Sequence, residues 1–176
     1  MKKIFLTGLR GSGKSTVGKD LALLLAWKFI DLDKYLMERE GRSIAEIVER
    51  DGWPAFRQLE KDCLKEACAR NEGGAVIATG GGVVLDPDNR SYMRENGLVI
   101  WLNAHPEILC RRLQANPDLA QRPAFGRKDP LAEICDLFWE RLPNYADSAH
   151  CIVNGEGKSA EICRLIRDLI DNIDGG

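Results

Sequence analysis

Apolar, β-branched runs recur along the chain at 3–7 (KIFLT), 75–79 (AVIAT), 98–102 (LVIWL) and 150–153 (HCIV), with a weaker one at 28–32 (KFIDL). Their apolar positions are nearly continuous rather than alternating, as in strands covered on both faces. Helical patterns lie between them. Residues 14–26 place Val17, Leu21, Leu24 and Leu25 at helical spacing, and helical periodicity also fits 43–50, 55–70, 106–115, 130–141 and 159–173. Ser43-Ile-Ala-Glu46 is a capping-box sequence, which places a helix start there. Strand alternating with helix predicts an α/β fold built on a parallel sheet, joined by right-handed crossovers.

Two stretches break the rhythm. Residues 33–70 hold three successive helical patterns with no strand between them, which suggests a small helical region beside the sheet. Residues 116–130 (NPDLAQRPAFGRKDP) contain three prolines and no periodicity. An irregular segment of that length inside an α/β domain reads as a lid.

Composition narrows the function. The 176 residues are 44% hydrophobic and 30% charged, an ordinary globular balance for one domain. The net charge of −2 supplies no basic field for nucleic acid or an anionic membrane. The most apolar run, 21–27, is far shorter than the ~20 residues of a membrane span. Arg10 and Lys14 interrupt the apolar start too early for a signal peptide. Six scattered cysteines without a C-x-x-C pair, and only two histidines, predict reduced thiols in a cytoplasmic protein rather than a zinc site or a disulfide framework.

The most specific signal is Gly8-Leu-Arg-Gly-Ser-Gly-Lys-Ser15, a match to G-x-x-x-x-G-K-[ST]. It directly follows a predicted strand and opens a predicted helix, the context that confirms it. Glycines in such a loop let successive N–H groups turn inward as an anion nest, and the helix N-terminus adds partial positive charge. Lys14 would bring a point charge to the β/γ-phosphates and Ser15 a hydroxyl to Mg²⁺. Arg10, inside the loop, receives no role.

Four further clusters speak to an acceptor. Asp31-Leu-Asp33 ends the second strand, at the side of the sheet where ligands bind. Strand alternation would point both carboxylates the same way, one to a Mg²⁺-bound water and one to a substrate hydroxyl. The plainer reading makes Asp33 the N-cap of a helix starting at Lys34. Arg57 and Glu60 stand three apart on a helix. They form either a surface ion pair or a carboxylate orienting a guanidinium that grips a substrate carboxylate. Gly80-Gly81-Gly82 suits a place where a ligand lies against bare backbone, or is a simple loose turn. Arg122, in the irregular stretch, would close over the γ-phosphate and Arg141 would be a second carboxylate partner, while each arginine taken alone reads more simply as part of a solvated face.

Taken in order, G-x-x-G-S-G-K-S-T, D-x-D, F-R-x-x-E, G-G-G, R-P and an Arg four residues before a Tyr (Arg141, Tyr145) resemble the shikimate kinase family over nearly the whole chain. That resemblance implies a five-stranded parallel sheet flanked by helices, like nucleoside monophosphate kinases, with a helical substrate-binding region at 33–70 and a lid at 116–130. It implies ATP and Mg²⁺ as cofactors and transfer of phosphate to the 3-hydroxyl of shikimate on the route to chorismate and aromatic amino acids. By motif, Gly11, Ser12, Gly13, Lys14, Ser15 and Thr16 would hold the phosphates, with Ser15 and Asp31 at the metal. Asp33 would hold the substrate hydroxyls and act as base. Arg57, Gly80, Gly81, Gly82 and Arg141 would bind shikimate, and Arg122 would be the catalytic lid arginine. Arg112 would pack on adenine, with the loop at 154–157 completing that pocket. A monomer acting on a small molecule is expected, without nucleic acid or membrane. Two other readings stay open: a gluconate or nucleoside monophosphate kinase on the same scaffold, and a nucleotide-binding module without turnover.

Overall fold

The computed structural model describes residues 2–71, 73–115 and 130–174. Five strands form one sheet: β1 (Lys3–Thr7), β2 (Lys28–Asp31), β3 (Ala75–Ala78), β4 (Leu98–Asn103) and β5 (Cys151–Asn154). All pairings are parallel, in the order β2-β3-β1-β4-β5. Since β3 and β4 flank β1 on opposite sides, the connections diverge at the carboxyl end of β1. That is where an open α/β sheet has its ligand crevice.

The unbroken apolar strands serve two cores. Ile4 and Leu6 face Val17 and Leu21 of α1 (Lys14–Leu25) together with Ile162 and Ile166 of α7 (Ser159–Asp174). Phe5 points the other way, into a cluster with Ile77, Val99 and Trp101. That second face is covered by α4 (Pro87–Asn96), α5 (Pro106–Ala115), α6 (Pro130–Ser148) and the distal part of α3 (Ile44–Ala69). Period-two alternation therefore survives inside a run that hydrophobicity alone shows as continuous.

The three helical patterns at 33–70 become α2 (Leu32–Glu40) and two halves of α3, separated at Gly52 by φ 82° and ψ 167°. They carry a separate small core of Leu36, Ile44, Ile47, Phe56 and Cys63. The capping box forms: Glu46 N–H donates to Ser43 Oγ at 3.2 Å, and Ser43 N–H donates to Glu46 Oε2 at 2.7 Å.

Three features depart from the sequence reading. The 3₁₀ turn at Val83–Leu85 and α4 escaped it, because α4 buries only Asn89 and Met93 and shows almost no apolar stripe. Its signal was Asp86-Pro87, since the Asp86 side chain accepts from Asp88 N–H at 2.8 Å and proline opens the helix. Helix α6 does not stop at 141 but continues through Pro143 to Ser148. The extra turn places Arg141 and Tyr145 on one face. Strand β5 lies one residue later than expected.

Among the described residues, no helix is long and apolar enough to cross a membrane. None of the six cysteines is in a disulfide.

Candidate active site

The chain leaves β1 directly into the glycine-rich turn. Gly8, Gly11 and Gly13 have φ of 138°, 81° and 95°, in the left-handed half of conformational space that side chains rarely enter. At Gly8 a Cβ would also stand 2.6 Å from the Leu102 carbonyl oxygen. The turn therefore forms only with glycine, and it delivers Ser12, Lys14, Ser15 and Thr16 to the start of α1. Lys14 is nearly buried, and its Nζ donates to the carbonyls of Gly8 at 2.7 Å and Leu9 at 2.8 Å. Its charge is thereby held above the loop that it would help to neutralise phosphate on.

Ser15 Oγ donates to Asp31 Oδ2 at 2.6 Å. Asp31 also caps α2, accepting from Lys34 N–H at 3.4 Å. The alternation argument for Asp31 and Asp33 does not hold, because β2 ends at Asp31 and Asp33 lies in the first turn of α2. Asp33 is not the N-cap either; Asp31 is. The helical turn sends Asp33 toward the glycine loop instead, where its Oδ1 stands 3.1 Å from the position a Gly80 Cβ would take. The two carboxylates thus serve different places, Asp31 beside Ser15 and Asp33 beside Gly80.

A tight cleft beside the phosphate loop brings together Arg10, Trp53, Arg57, Gly81, Gly82 and Arg141. Arg57 Nη1 donates to Glu60 Oε2 at 2.5 Å, and its guanidinium lies 5.5 Å from the Trp53 ring and 5.2 Å from the Phe56 ring. Glu60 is 3% exposed, so the pair is not the solvated surface bridge that i,i+3 spacing alone suggests. Burial pushes the Glu60 carboxyl up, opposed by Arg57 and Arg141. Its Oε1 is buried without a hydrogen-bond partner, as is Arg141 Nε.

The glycines answer to these side chains. A Cβ on Gly82 would collide with the Arg57 guanidinium, and one on Gly80 would collide with Glu60. At both positions the bare backbone leaves room for the ends of the protein's own side chains, which an added Cβ would displace. Arg141 Nη1 donates to the Gly81 carbonyl at 3.2 Å.

Arg112 on α5 donates to the carbonyls of Gly11 at 3.2 Å, Gly155 at 2.9 Å and Glu156 at 3.1 Å. It thereby ties the phosphate loop to the turn after β5. That turn is itself pinned, with Asn154 Oδ1 accepting from Glu156 N–H and Glu156 Oε1 accepting from His105 N–H. Arg122 and positions 116–129 of the expected lid lie outside the described residues.

Sequence reasoning missed Arg10. Its Nη2 donates to Glu133 Oε1 at 2.8 Å, across 123 residues of chain, and it lines the cleft from inside the phosphate loop. No local pattern links residues so far apart.

A nucleotide-phosphate loop at the divergence point of a five-stranded parallel sheet, with an arginine-lined cleft beside it, defines a phosphate-loop kinase. The family model for shikimate kinase matches residues 10–171. A shikimate kinase of Oleidesulfovibrio alaskensis is 44% identical over 170 residues, covering 97% of this chain and 98% of that protein. One from Nitratidesulfovibrio vulgaris is 42% identical over 168 residues, covering 96% and 95%. A solved shikimate kinase from Acinetobacter baumannii, in complex with shikimate, superposes with a TM-score of 0.88 at 31% identity, covering 97% of this chain and 93% of that one. A gluconokinase from Sinorhizobium meliloti shares the fold alone, at 18% identity and a TM-score of 0.57. The chain belongs to the shikimate kinase family, and so to the phosphotransferases that use ATP and act on a hydroxyl group.

Proposed function

We propose that the protein transfers the γ-phosphoryl group of ATP to the 3-hydroxyl of shikimate, releasing ADP and shikimate 3-phosphate for the synthesis of chorismate. The observation that carries this reading is the convergence of Arg57 and Arg141 on the glycine loop, in a cleft that also reaches the phosphate loop through Leu9 and Arg10. Two guanidinium groups suit the carboxylate of an acid-bearing alcohol better than a neutral sugar.

Phosphoryl transfer goes through a loose transition state, so position and charge matter most. The turn at 11–16 would hold the phosphates, with Lys14 neutralising them. Ser15 Oγ and Asp31, in contact with each other, are hard oxygen donors of the type Mg²⁺ takes and would hold the ion between them and the phosphates. Bound there, the ion would offset phosphate charge. Arg57, steadied by Glu60, and Arg141 would fix the acceptor carboxylate against Gly80–Gly82. Asp33 would align the hydroxyl and receive its proton as the oxygen bonds phosphorus and the bond to ADP breaks.

Arg112, whose plane is fixed by three carbonyls, would stack on adenine beside 154–157. The same reading makes 33–70 the acceptor-binding region, 116–130 the lid with Arg122 on the γ-phosphate, and the protein a cytoplasmic monomer.

The test is ADP release with ATP, Mg²⁺ and shikimate, with gluconate as the control acceptor. Turnover on shikimate alone supports the reading; turnover on gluconate, or on neither, overturns it.

A further inference from the structure

The three carbonyls of the glycine loop are satisfied in two ways. Those of Gly80 and Gly82 accept from Val83 N–H at 3.2 Å and Leu85 N–H at 3.1 Å, within the turn itself. The Gly81 carbonyl accepts instead from side chains of α6. Tyr145 Oη donates to it at 2.6 Å and Arg141 Nη1 at 3.2 Å, filling both lone pairs. Tyr145 is 1% exposed, and its ring stacks on Trp101 of β4 with centroids 5.4 Å apart and planes 14° apart. Burial pushes its phenol above the ordinary range, so it remains a donor at any working pH.

From this arrangement we infer that Tyr145 is a positioning residue for the acceptor site, acting through Gly81 and Arg141 rather than touching the substrate. The ring is anchored to the central part of the sheet, and its hydroxyl reaches the one glycine carbonyl that the backbone does not hold. Arg141, one helical turn earlier, shares that carbonyl, so the hydroxyl sets the glycine loop and the guanidinium relative to each other. Glu60 does the equivalent work for Arg57. Without the phenolic oxygen, Gly81 keeps a single, longer hydrogen bond. Arg141 is then drawn toward the carbonyl and away from an acceptor carboxylate.

This inference rests on the proposed acceptor site. The experiment is steady-state kinetics of Tyr145→Phe, which keeps the ring and its stacking. The KM for the acceptor should rise about tenfold, while the KM for ATP stays within about twofold. Adding Tyr145→Phe to Arg141→Ala should have little further effect on the acceptor KM, because both substitutions disable one unit. Ser148→Ala provides the structural control. Its Oγ donates to the Tyr145 carbonyl at 2.9 Å without reaching the loop, so it should lower the melting temperature and leave the acceptor KM alone.

An unchanged acceptor KM in Tyr145→Phe, an equal rise for both substrates, or full additivity with Arg141→Ala overturns the inference. If the wild-type enzyme phosphorylates a different acceptor, the assignment of shikimate fails, while the same measurements on that acceptor still decide the role of Tyr145.

Discussion

The phosphate loop and the acceptor cleft share a border at Leu9 and Arg10 but are built on opposite principles. The loop is eight consecutive residues, shaped by its own glycines and closed by the Lys14 amine on its own carbonyls. The cleft is assembled from four separate stretches: residues 9–10, 44–57, 81–82 and 137–141. Its charged groups hold position through partners elsewhere: Glu60 for Arg57, the Gly81 carbonyl for Arg141 and Glu133 for Arg10. A local site stands or falls with its own residues. A distributed one can be damaged from several directions, each by a smaller amount.

The largest expected effect is at the local site. Lys14→Ala removes the charge meant for the phosphates and two hydrogen bonds that close the loop. Its kcat should fall about a thousandfold, read by coupled ADP release at saturating substrates. Near-normal turnover would break the assignment of the loop.

Arg57→Ala should raise the shikimate KM about thirtyfold, on the scale of losing a charge-assisted hydrogen bond, and leave the KM for ATP unchanged. A matching rise for ATP would mean that the two regions are not separable. Gly82→Ala tests the same arginine from the other side, because its Cβ collides with the guanidinium. A shikimate KM about tenfold higher is expected, with wild-type ATP affinity.

The smallest effect lies away from both regions. His150 Nδ1 accepts from Val99 N–H at 3.0 Å, which requires the neutral ring. Partial desolvation, then the nearby Arg94, hold its pKa below the ordinary value. The unfolded chain therefore binds the proton more readily. The stabilisation is complete above the unfolded-state pKa and is lost as pH falls through the lower folded-state value. Thermal melts between pH 7.5 and 5 should show a decline that His150→Asn reduces, with both KM values at pH 7.5 unaffected.

What could be read from the sequence follows the same division. The turn at 8–15 was legible because its physics is contiguous. Strands β1, β3 and β4 were legible because burial on both faces leaves an apolar run. Helix α4 was not, since it buries two side chains and is held largely by polar contacts of Arg90 and Arg94. The turn of α6 beyond Pro143 was hidden because proline reads as a stop, although the packing of Tyr145 carries the helix past it. Asp33 was singled out for a reason that failed; a helix, not a strand, brings it beside Gly80. Arg57 stood open between a surface pair and an oriented guanidinium, and the burial of Glu60 removes the first of these. Arg10 gave no sign at all, because its partner Glu133 lies in a helix on the far side of the sequence.

That last pair joins two distant parts of the chain into one electrostatic unit. Glu133 is 5% exposed, so exchanging Arg10 for a neutral residue takes a cation away from a buried carboxylate. Losing Glu133 alone frees a cation beside the acceptor. A substitution at either position is therefore felt at the other, which couples the phosphate loop to the root of α6 across the length of the fold.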